Sequence, residues 1–480
     1  MHITFINTCL GGDYSALDIA ITSLATFVNE RTRHSASIVD LTFHRRFWKR
    51  YLCSELALHK PDVVGISSNT MYMQYVKMIM AEVKQAFALP IVLGGHHASI
   101  YPEATLRLDG CDYVCTGDGE RPLELLLDRL EEQKSVDGVK GIWHKKDDSI
   151  IKNEIGCFYQ LDNLPMPNWD LWKDLDKYLY YLGMLYVIGS RGCPYTCTFC
   201  DAHGIAKAIP GSYYRERDPY DYVQELMTQW EKYGQRNLRL FQLFDPVFTM
   251  NTKWVELFCS EYRRLGLHEK IKYSVFSRID HLDEDKINML ADSGCGVVRI
   301  GVECGNEYIR NHIYEKKLSD KKLFKIFDLL HKRGVTITAY YMLGGPGESH
   351  TTMRETIVCA RKLQAQRSVF FMYKPFTDEG VKQVVEYGGI VDQKRWKKAD
   401  NITFSAVVRI KGVPPLVIEM YQWYGYAVTF TPRLVKMICR LKWMYPVYLS
   451  IYLFSAIIDG LNLSYVLMYF HVYGYDNIDK

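Results

Sequence analysis

The stretch LYVIGSRGCPYTCTFCDAHG (185–204) decides the fold, because it joins an apolar strand to a loop that carries three cysteines. Cys193, Cys197 and Cys200 have the spacing CxxxCxxC. Three thiolates on one short loop can bind three irons of a cubane cluster and leave the fourth iron without a protein ligand. A structural zinc site is instead closed by four protein ligands. The spacing predicts a four-iron, four-sulfur cluster, and zinc held by the three cysteines and His203 is the alternative.

The cysteine loop follows the first of six predicted strands that alternate with helices. This alternation predicts an α/β domain with a parallel sheet, here a partial (β/α)6 barrel over residues 183–380. Functional groups of such barrels lie at the carboxyl ends of the strands, which is where the cysteine loop falls. The predicted strands are LYVIGS (185–190), LRLFQLF (238–244), IKYSVFS (271–277), GVVRIGVE (296–303), VTITAYYML (335–343) and SVFFMYKPF (368–376).

A second set of alternating strands and helices occupies residues 1–135. It predicts an open parallel sheet of the Rossmann-like type, which binds ligands beyond the carboxyl ends of its strands. Polar and glycine-rich turns at these ends suit a large ligand with many hydrogen-bonding groups. The predicted strands are HITFIN (2–7), SIVDL (37–41), DVVGIS (62–67), PIVLGG (90–95) and YVCTGD (113–118). The candidate binding residues in the turns are Ser67, Ser68, Gly94, Gly95 and Gly117.

Two further segments lack this alternation. Residues 136–182 combine charge runs with prolines and are predicted to link the two domains. Residues 381–480 are aromatic and basic, and we expect a mainly helical region that caps the barrel and contributes to the substrate site. The apolar run PVYLSIYLFSAII (446–458) is shorter than the roughly 20 residues of a spanning helix. A core helix is therefore favoured there, and a helix on a membrane surface is the alternative.

Composition restricts the class of protein. The chain has 59 basic and 55 acidic residues, a net charge of +4, which gives no indication of nucleic-acid binding. Its 13 cysteines are an odd number without a disulfide framework, and the amino terminus does not resemble a secretory signal. These features together predict a location in the reducing cytoplasm.

The cysteine motif, with Phe199 directly before its last cysteine, resembles the signature of radical S-adenosylmethionine (SAM) enzymes. The resemblance covers most of the chain and is to the branch with an amino-terminal cobalamin-binding domain. That branch includes the anaerobic magnesium-protoporphyrin ester cyclase and several C- and P-methyltransferases. The segments that carry the resemblance are GGHHAS (94–99), GDGE (117–120), SRGCPYTCTFC (190–200), RERDP (215–219), LFDPVFT (243–249), SRIDHLDEDKINMLADSGCGVVRIGVECG (277–305), LGGPGES (343–349) and YKPFTDEG (373–380).

The resemblance implies the cofactors and the reaction. A 4Fe-4S cluster, SAM and cobalamin would be bound, and a flavodoxin or ferredoxin would donate electrons. Cleavage of SAM would give methionine and a 5′-deoxyadenosyl radical, which takes hydrogen from an unreactive carbon. We expect methyl transfer to an unactivated carbon or phosphorus of a small molecule. A hydrophobic substrate would fit the aromatic carboxyl-terminal region. A radical cyclase, oxidoreductase or dehydratase is the alternative. A methylthiotransferase is favoured less, because that family has additional cysteines in its amino-terminal domain and the cysteines of this chain do not lie in matching sequence contexts.

The resemblance also implies cofactor contacts for three side chains at strand ends. Phe199 would pack near the adenine of SAM, with an ordinary core position as the alternative. Arg278 would bind the carboxylate of SAM, because its planar fork suits a carboxylate, and an ion pair with Asp280 is the alternative. Glu303 would bind the ribose hydroxyls or the amino group of SAM. An internal ion pair with Arg299, four residues earlier on the same strand, is the alternative for Glu303.

Asp245, the Gly344–Gly345 turn and the amino-terminal loop complete the set of candidates. Asp245 ends the second barrel strand, but Pro246 follows it instead of the acidic or polar residue of the family, so a helix-capping role is equally supported. Gly344 and Gly345 predict a tight strand-to-helix turn, which in the family lies beside the adenosyl group. The family's cobalt-binding Asp-x-His-x-x-Gly loop corresponds to NTCLGGDYSALD (7–18), which has no histidine. Cobalamin would then bind without an imidazole on cobalt from this loop.

Overall fold

The computed structural model describes residues 1–10, 17–147, 149–399 and 403–440, and beyond residue 429 it describes only the backbone. The described residues form two compact units. The first contains Met1–Tyr181 and Asp201–Arg215, and the second contains Leu182–Cys200 and the described residues from Glu216 to Arg440.

The first unit is built on a seven-stranded sheet. Its strands are β1 (His2–Asn7), β2 (Ser35–Asp40), β3 (Val63–Ser67), β4 (Ile91–Gly94), β5 (Tyr113–Cys115), β6 (Ile142–Lys146) and β7 (Ser149–Ile151). Their order is β2-β1-β3-β4-β5-β6-β7, and the first five are parallel. The five parallel strands confirm the predicted Rossmann-like architecture.

Helices of the first unit follow the apolar spacing of the sequence. They are α1 (Ile19–Arg31), α2 (Trp48–His59), α3 (Met73–Phe87), α4 (Gly95–Ile100), α5 (Pro102–Leu106), α6 (Glu120–Glu131), α7 (Leu175–Tyr181) and α8 (Ala202–Ala208). On α3, Val76, Met80 and Val83 are buried on one face, as their spacing predicts. Helix α1 begins after Asp18, whose side chain accepts hydrogen bonds from the amides of Ala20 and Ile21.

Residues 136–182, which we expected to act only as a linker, contribute to the first unit. Strands β6 and β7 extend its sheet and are antiparallel to their neighbours. Ile142 and Trp143 are buried by this pairing, and Trp169, Trp172 and Tyr178 are buried farther along the segment. The structure differs from the expectation because these apolar residues lie among the prolines and charges that dominate the local composition. The other domain boundaries stay predictions.

The second unit contains a six-stranded parallel sheet in the order β15-β14-β13-β12-β11-β8. The strand labels continue in chain order with β8 (Met184–Val187), β9 (Ser190–Arg191), β10 (Arg215–Glu216), β11 (Leu240–Leu243), β12 (Lys272–Ser277), β13 (Cys295–Glu303), β14 (Thr336–Leu343) and β15 (Arg367–Met372). Six parallel strands in chain order confirm the predicted partial (β/α)6 barrel.

Helices connect these strands and continue after them. The connecting helices are α9 (Pro219–Tyr233), α10 (Thr252–Arg264), α11 (Leu267–Lys270), α12 (Glu284–Asp292), α13 (Asp320–Lys332) and α14 (His350–Leu363). The following elements are α15 (Asp378–Glu386), β16 (Ile390–Val391), α16 (Gln393–Lys398), β17 (Val408–Arg409) and α17 (Pro415–Arg440). The mainly helical character of the carboxyl-terminal region is thus confirmed as far as residue 440, and the apolar run 446–458 lies outside the described residues. Within the described ranges, no helix is long and apolar enough to cross a membrane.

A buried network of polar side chains links the carboxyl ends of β1 and β2. The Tyr178 hydroxyl donates to the Asp40 carboxylate at 2.8 Å and lies 2.9 Å from Thr42 Oγ1. The Asn7 side chain donates to the same carboxylate at 2.9 Å. Burial raises the pKa of Asp40, and these donors act against that shift. The network is therefore needed to keep a carboxylate inside the first unit.

Replacing Tyr178 with Phe should lower the free energy of unfolding by about 1–3 kcal/mol, because the Asp40 carboxylate loses a buried donor. Urea unfolding followed by circular dichroism measures this change. The exposed Tyr180 on the same helix provides the matched control, and its Phe variant should unfold like the wild type within about 0.5 kcal/mol. Equal effects of the two substitutions would contradict the role of the network.

Candidate active site

The three cysteines lie on the loop that follows β9. Cys197 is buried, whereas Cys193 and Cys200 are partly exposed. The Cys200 amide donates to the Cys197 carbonyl at 3.1 Å, and Thr198 Oγ1 donates to the Ile313 carbonyl at 2.8 Å. Burial raises the pKa of the Cys193 thiol. These hydrogen bonds therefore hold the backbone of the cysteine loop in place.

The donor set of the loop fits a cluster better than a structural zinc ion. The loop offers three thiols, those of Cys193, Cys197 and Cys200, whereas a structural zinc site is closed by four protein ligands. Three thiolates can bind three irons of a cubane cluster and leave the fourth iron open, so the cysteine loop fits such a cluster.

Arg278 follows the end of β12 and is 7% exposed. Its Nε and Nη2 donate to the two carboxylate oxygens of Asp280 at 3.0 and 2.9 Å. Nη2 also donates to the Lys316 carbonyl at 2.9 Å, and Nη1 donates to Cys197 Sγ at 3.3 Å. The expected alternative, an ion pair with Asp280, is thus present, but it is buried beside a cysteine of the loop. Whether Arg278 binds SAM stays a prediction.

Glu303 ends β13 with a positive φ of 67°, which is uncommon outside glycine. Lys316 Nζ donates to Glu303 Oε1 at 2.6 Å and to the Gly301 carbonyl at 2.7 Å. Among the described residues, the ion-pair partner of Glu303 is thus Lys316 and not Arg299, which was the alternative to a cofactor contact. The reason is an irregularity between Gly301 and Glu303, which shifts the strand register and breaks the alternation on which that expectation relied.

Lys316 was not found by the sequence reasoning because it lies on a loop without a motif. The loop between β13 and α13 is held by Arg310, which is fully buried. Arg310 donates to the Cys304 carbonyl at 2.8 Å and to the Leu318 carbonyl at 3.1 Å, at the two ends of the loop. This closure returns the loop to the strand end. It places the Lys316 ammonium beside Glu303 and 5.9 Å from the centre of the Phe199 ring.

The Gly344–Gly345 turn packs against an aromatic side chain. Gly344 has a φ of 80°, and a Cβ at Gly345 would overlap the Tyr314 hydroxyl. Glu348 closes the turn by accepting a hydrogen bond from the Gly345 amide at 2.9 Å. Burial raises the pKa of Glu348 to about 7. The predicted tight turn is present, and the edge of Phe199 meets the ring of Tyr314 at a centroid distance of 5.6 Å.

Asp245 is fully buried and contacts the residues that lead into the cysteine loop. Its carboxylate accepts from the Gly189 amide at 3.1 Å and from Ser190 Oγ at 2.7 Å. Burial raises its pKa to about 6. The helix cap proposed as an alternative is made by Asn251, which accepts from the Trp254 amide at the start of α10. Asp245 thus anchors the entry to the loop and does not cap the helix.

The predicted turns of the first unit come together at the ends of β3, β4 and β5. The Ser68 amide and hydroxyl both donate to the Gly94 carbonyl, at 2.7 and 2.6 Å. Gly95 has a φ of 89°, and a Cβ there would press on Ser67 and Ser68. The Gly117 amide donates to Ser99 Oγ at 3.2 Å. Serine hydroxyls, glycines and backbone amides and carbonyls thus make up these closely packed turns, which suits a large ligand that is rich in amides.

Two histidines beside these turns are already engaged. His96 is hydrogen-bonded to Asp201 at 3.0 Å, and His97 to Thr70 Oγ1 at 3.0 Å. Burial lowers the pKa of His97 to about 4. Both histidines lie outside the usual cobalt-binding loop, and the absence of an imidazole on cobalt from that loop stays a prediction. Residues 11–16 of that loop lie outside the described part of the chain.

The geometry defines a class of protein, an iron–sulfur α/β enzyme whose three-cysteine loop follows the first strand of a partial barrel. Comparison with protein families identifies two domains. The B12 binding domain family matches residues 3–127, and the radical SAM superfamily matches residues 187–360. A B12-binding domain and a radical SAM domain are therefore both present in the chain. The cofactors that accompany these domains are a 4Fe-4S cluster, SAM and cobalamin.

Individual relatives cover most of the chain at low identity. An uncharacterised methyltransferase of Pyrococcus horikoshii is 25% identical, and the match covers 82% of this chain and 83% of that protein. The anaerobic magnesium-protoporphyrin IX monomethyl ester cyclase of Cereibacter sphaeroides is 26% identical over 68% of this chain and 53% of the cyclase. The structure of the radical SAM methyltransferase TsrM from Kitasatospora setae, with cobalamin and a 4Fe-4S cluster bound, has a TM-score of 0.69 at 17% identity and covers 90% of this chain and 88% of TsrM.

Anaerobic reconstitution should load about four irons per chain, and replacing Cys193, Cys197 and Cys200 together with Ala should abolish this iron. The reason is that no other thiol can substitute for a missing ligand on the same loop. Iron and sulfide analysis measures the loading. Cys53→Ala, which removes a partly exposed thiol from α2, is the control and should retain full iron. Bound zinc without iron after reconstitution would reject the cluster.

The titration of Glu348 should make stability depend on pH. Its pKa rises from an ordinary 4.5 to about 7 on folding. The associated stabilisation, about 3 kcal/mol, is therefore complete below pH 4.5 and lost as the pH rises through about 7. Urea unfolding between pH 5 and 8 should show this loss in the wild type and not in Glu348→Gln. The exposed Glu355→Gln on α14 should keep the wild-type profile, and a Glu348→Gln profile identical to the wild type would contradict the burial argument.

Proposed function

We propose that this chain is a cobalamin-dependent radical SAM methyltransferase that acts on an unactivated carbon or phosphorus of a small molecule. One observation carries the proposal: the B12-binding domain and the radical SAM domain lie in the same chain. The first kind of domain binds a methyl carrier, and the second produces a radical. The methyltransferases of Pyrococcus horikoshii and Kitasatospora setae support the same conclusion.

We assign the cluster ligands to Cys193, Cys197 and Cys200. When bound, the cluster supplies the electron that cleaves SAM into methionine and a 5′-deoxyadenosyl radical, and cobalamin carries the methyl group. The protein has to bind these groups, orient them and exclude water. The cysteine loop is suited to this because its backbone is already fixed by hydrogen bonds and Cys197 is buried.

We assign the amino-acid end of SAM to the Glu303–Lys316 pair. A SAM molecule carries an ammonium and a carboxylate, and the pair offers one group of each complementary charge. Both side chains are at most 8% exposed, so a charge-assisted contact with the ligand is little screened by water. The positive φ of Glu303 is consistent with a functional position, because such strain is retained where the surroundings require it.

The remaining predicted contacts form the walls of this site. We propose that Phe199 packs on the adenine and that the Gly344–Gly345 turn lies beside the adenosyl group. Asp245 contributes indirectly, by holding Gly189 and Ser190 at the entry to the cysteine loop. Ile418 of α17 packs near Gly344 and excludes water from the outer side of the turn.

In the first unit we propose that cobalamin is bound by the turns of Ser67, Ser68, Gly94, Gly95 and Gly117. The corresponding domains are residues 1–135 for cobalamin, 183–380 for the radical SAM barrel and 381–480 for the substrate cap. The aromatic tail favours a hydrophobic substrate, and contact with a membrane surface is its alternative role. We place the protein in the cytoplasm, with a flavodoxin or ferredoxin as electron donor.

A radical cyclase is the second candidate, because the protoporphyrin ester cyclase matches 68% of this chain. The two functions differ in the products formed from SAM. A methyltransferase of this type produces S-adenosylhomocysteine as well as 5′-deoxyadenosine, whereas cyclase chemistry needs only the radical product. Detection of both products therefore separates the candidates without knowledge of the substrate.

The decisive measurement combines cobalamin retention with product analysis. Protein reconstituted with the cluster and hydroxocobalamin, then desalted, should retain about one cobalamin per chain. We propose that cobalamin binds with its lower base displaced, so the cobalt(II) form should show no nitrogen splitting in electron paramagnetic resonance (EPR), because the histidine of the usual loop is missing as well. With SAM and reductant, both SAM products should form. Absence of cobalamin retention would rule out the methyltransferase and favour the cyclase class.

The Glu303–Lys316 assignment has its own test. Glu303→Gln and Lys316→Met should each raise the KM for SAM about tenfold while iron content stays unchanged, because each removes a charged hydrogen bond worth about 1.5–3 kcal/mol. Rates of 5′-deoxyadenosine formation at varied SAM concentration measure this. Glu386→Gln, an exposed change on α15, is the matched control. Unchanged KM values in both site variants would reject the assignment.

A further inference from the structure

Arg278 has an arrangement that binding of SAM does not explain. All three of its side-chain nitrogens already have partners, two of them on Asp280 and one on Cys197. Its guanidinium carbon also lies 3.6 Å from the centre of the Tyr195 ring. Asp280 is bound bidentately through Nε and Nη2, which fixes the plane of the guanidinium. The guanidinium is therefore held in place with one N–H aimed at a cysteine sulfur.

We infer that Arg278 raises the reduction potential of the cluster by donating a charged hydrogen bond to Cys197 Sγ. The inference rests on the proposed binding of the cluster by the three cysteines. A positive charge beside a ligand stabilises the form with more negative charge, which is the reduced cluster. Hydrogen bonds to the sulfurs and the net charge around a cluster are among the factors that set its potential. Arginine stays protonated at any pH the protein tolerates, so this influence is permanent.

Burial makes this contact effective. Arg278 is 7% exposed and Cys197 is 8% exposed, so little water screens the interaction. Asp280 balances part of the charge, but it binds Nε and Nη2 and leaves Nη1 for the sulfur. The pair therefore acts as a dipole with its positive end toward Cys197. In the described structure, Asp280 and the Lys316 carbonyl are the parts that position the guanidinium.

The consequence concerns the first step of the reaction. One electron from an external reductant converts the oxidised cluster to the reduced cluster, and no bond is made or broken in that step. A higher potential makes this reduction easier for a donor of moderate strength. It also leaves less driving force for the cleavage of SAM. Arg278 is thus a positioning residue that acts through Cys197, and it sets the balance between these two requirements.

The test is a redox titration of the reconstituted protein with dithionite, without SAM, in which EPR measures the reduced cluster. Arg278→Met should lower the equilibrium constant for reduction about tenfold, a shift of about 59 mV to more negative potential. Arg278→Lys, which keeps the charge but loses the planar fork, should shift the potential less. Arg333→Met removes the same charge from an exposed ion pair next to α13 and should leave the potential unchanged.

Three outcomes separate the possibilities. Failure of the wild type to hold iron would reject the proposed cysteine ligation itself. A normal iron content in Arg278→Met with an unchanged potential would overturn the inference alone. An unchanged potential together with a raised KM for SAM would assign Arg278 to the SAM carboxylate and would likewise overturn it. If Arg278→Met does not fold, Arg278→Gln, which removes the charge but keeps a polar side chain, should shift the potential in the same direction, and no shift in that variant would overturn the inference.

Discussion

Parallel strands direct all their carboxyl ends to one edge of a sheet, and both units of this protein depend on that constraint. Each unit gathers at such an edge a set of turns that are distant in sequence. In the first unit the turns are small and rich in serine and glycine, which suits an amide-rich ligand. In the second unit they carry thiols and paired charges, which suit a metal cluster and a zwitterion.

Charges at the edge of the second sheet are buried, and burial requires that each has a partner. Arg278 is paired with Asp280, and Lys316 with Glu303. The Lys316 carbonyl accepts from Arg278 while its ammonium binds Glu303, so one residue connects the two pairs. Arg310 keeps this residue in place by closing the loop that carries it. The chemistry of the site thus depends on a loop that has no motif of its own.

Much of the fold followed from the sequence, because strand and helix periodicity is a local property. All eleven predicted parallel strands are present, and the cysteine loop lies where the spacing placed it. The partner of Glu303 was missed because a strand irregularity changes which side chains share a face. Lys316 was missed because only tertiary closure brings it to the site. The buried role of Asp245 could not be inferred either, since its partners Gly189 and Ser190 lie more than 50 residues away.

The contact between Gly345 and Tyr314 ties together two positions that are 31 residues apart in the chain. Any side chain at position 345 would occupy the space of the Tyr314 hydroxyl, and a smaller residue at position 314 would open a cavity beside the turn. A substitution at either position alone therefore causes a loss of packing. Their substitutions should therefore be correlated across descendants of a common ancestor, and lineages that lose the tyrosine are those in which the glycine becomes free to vary.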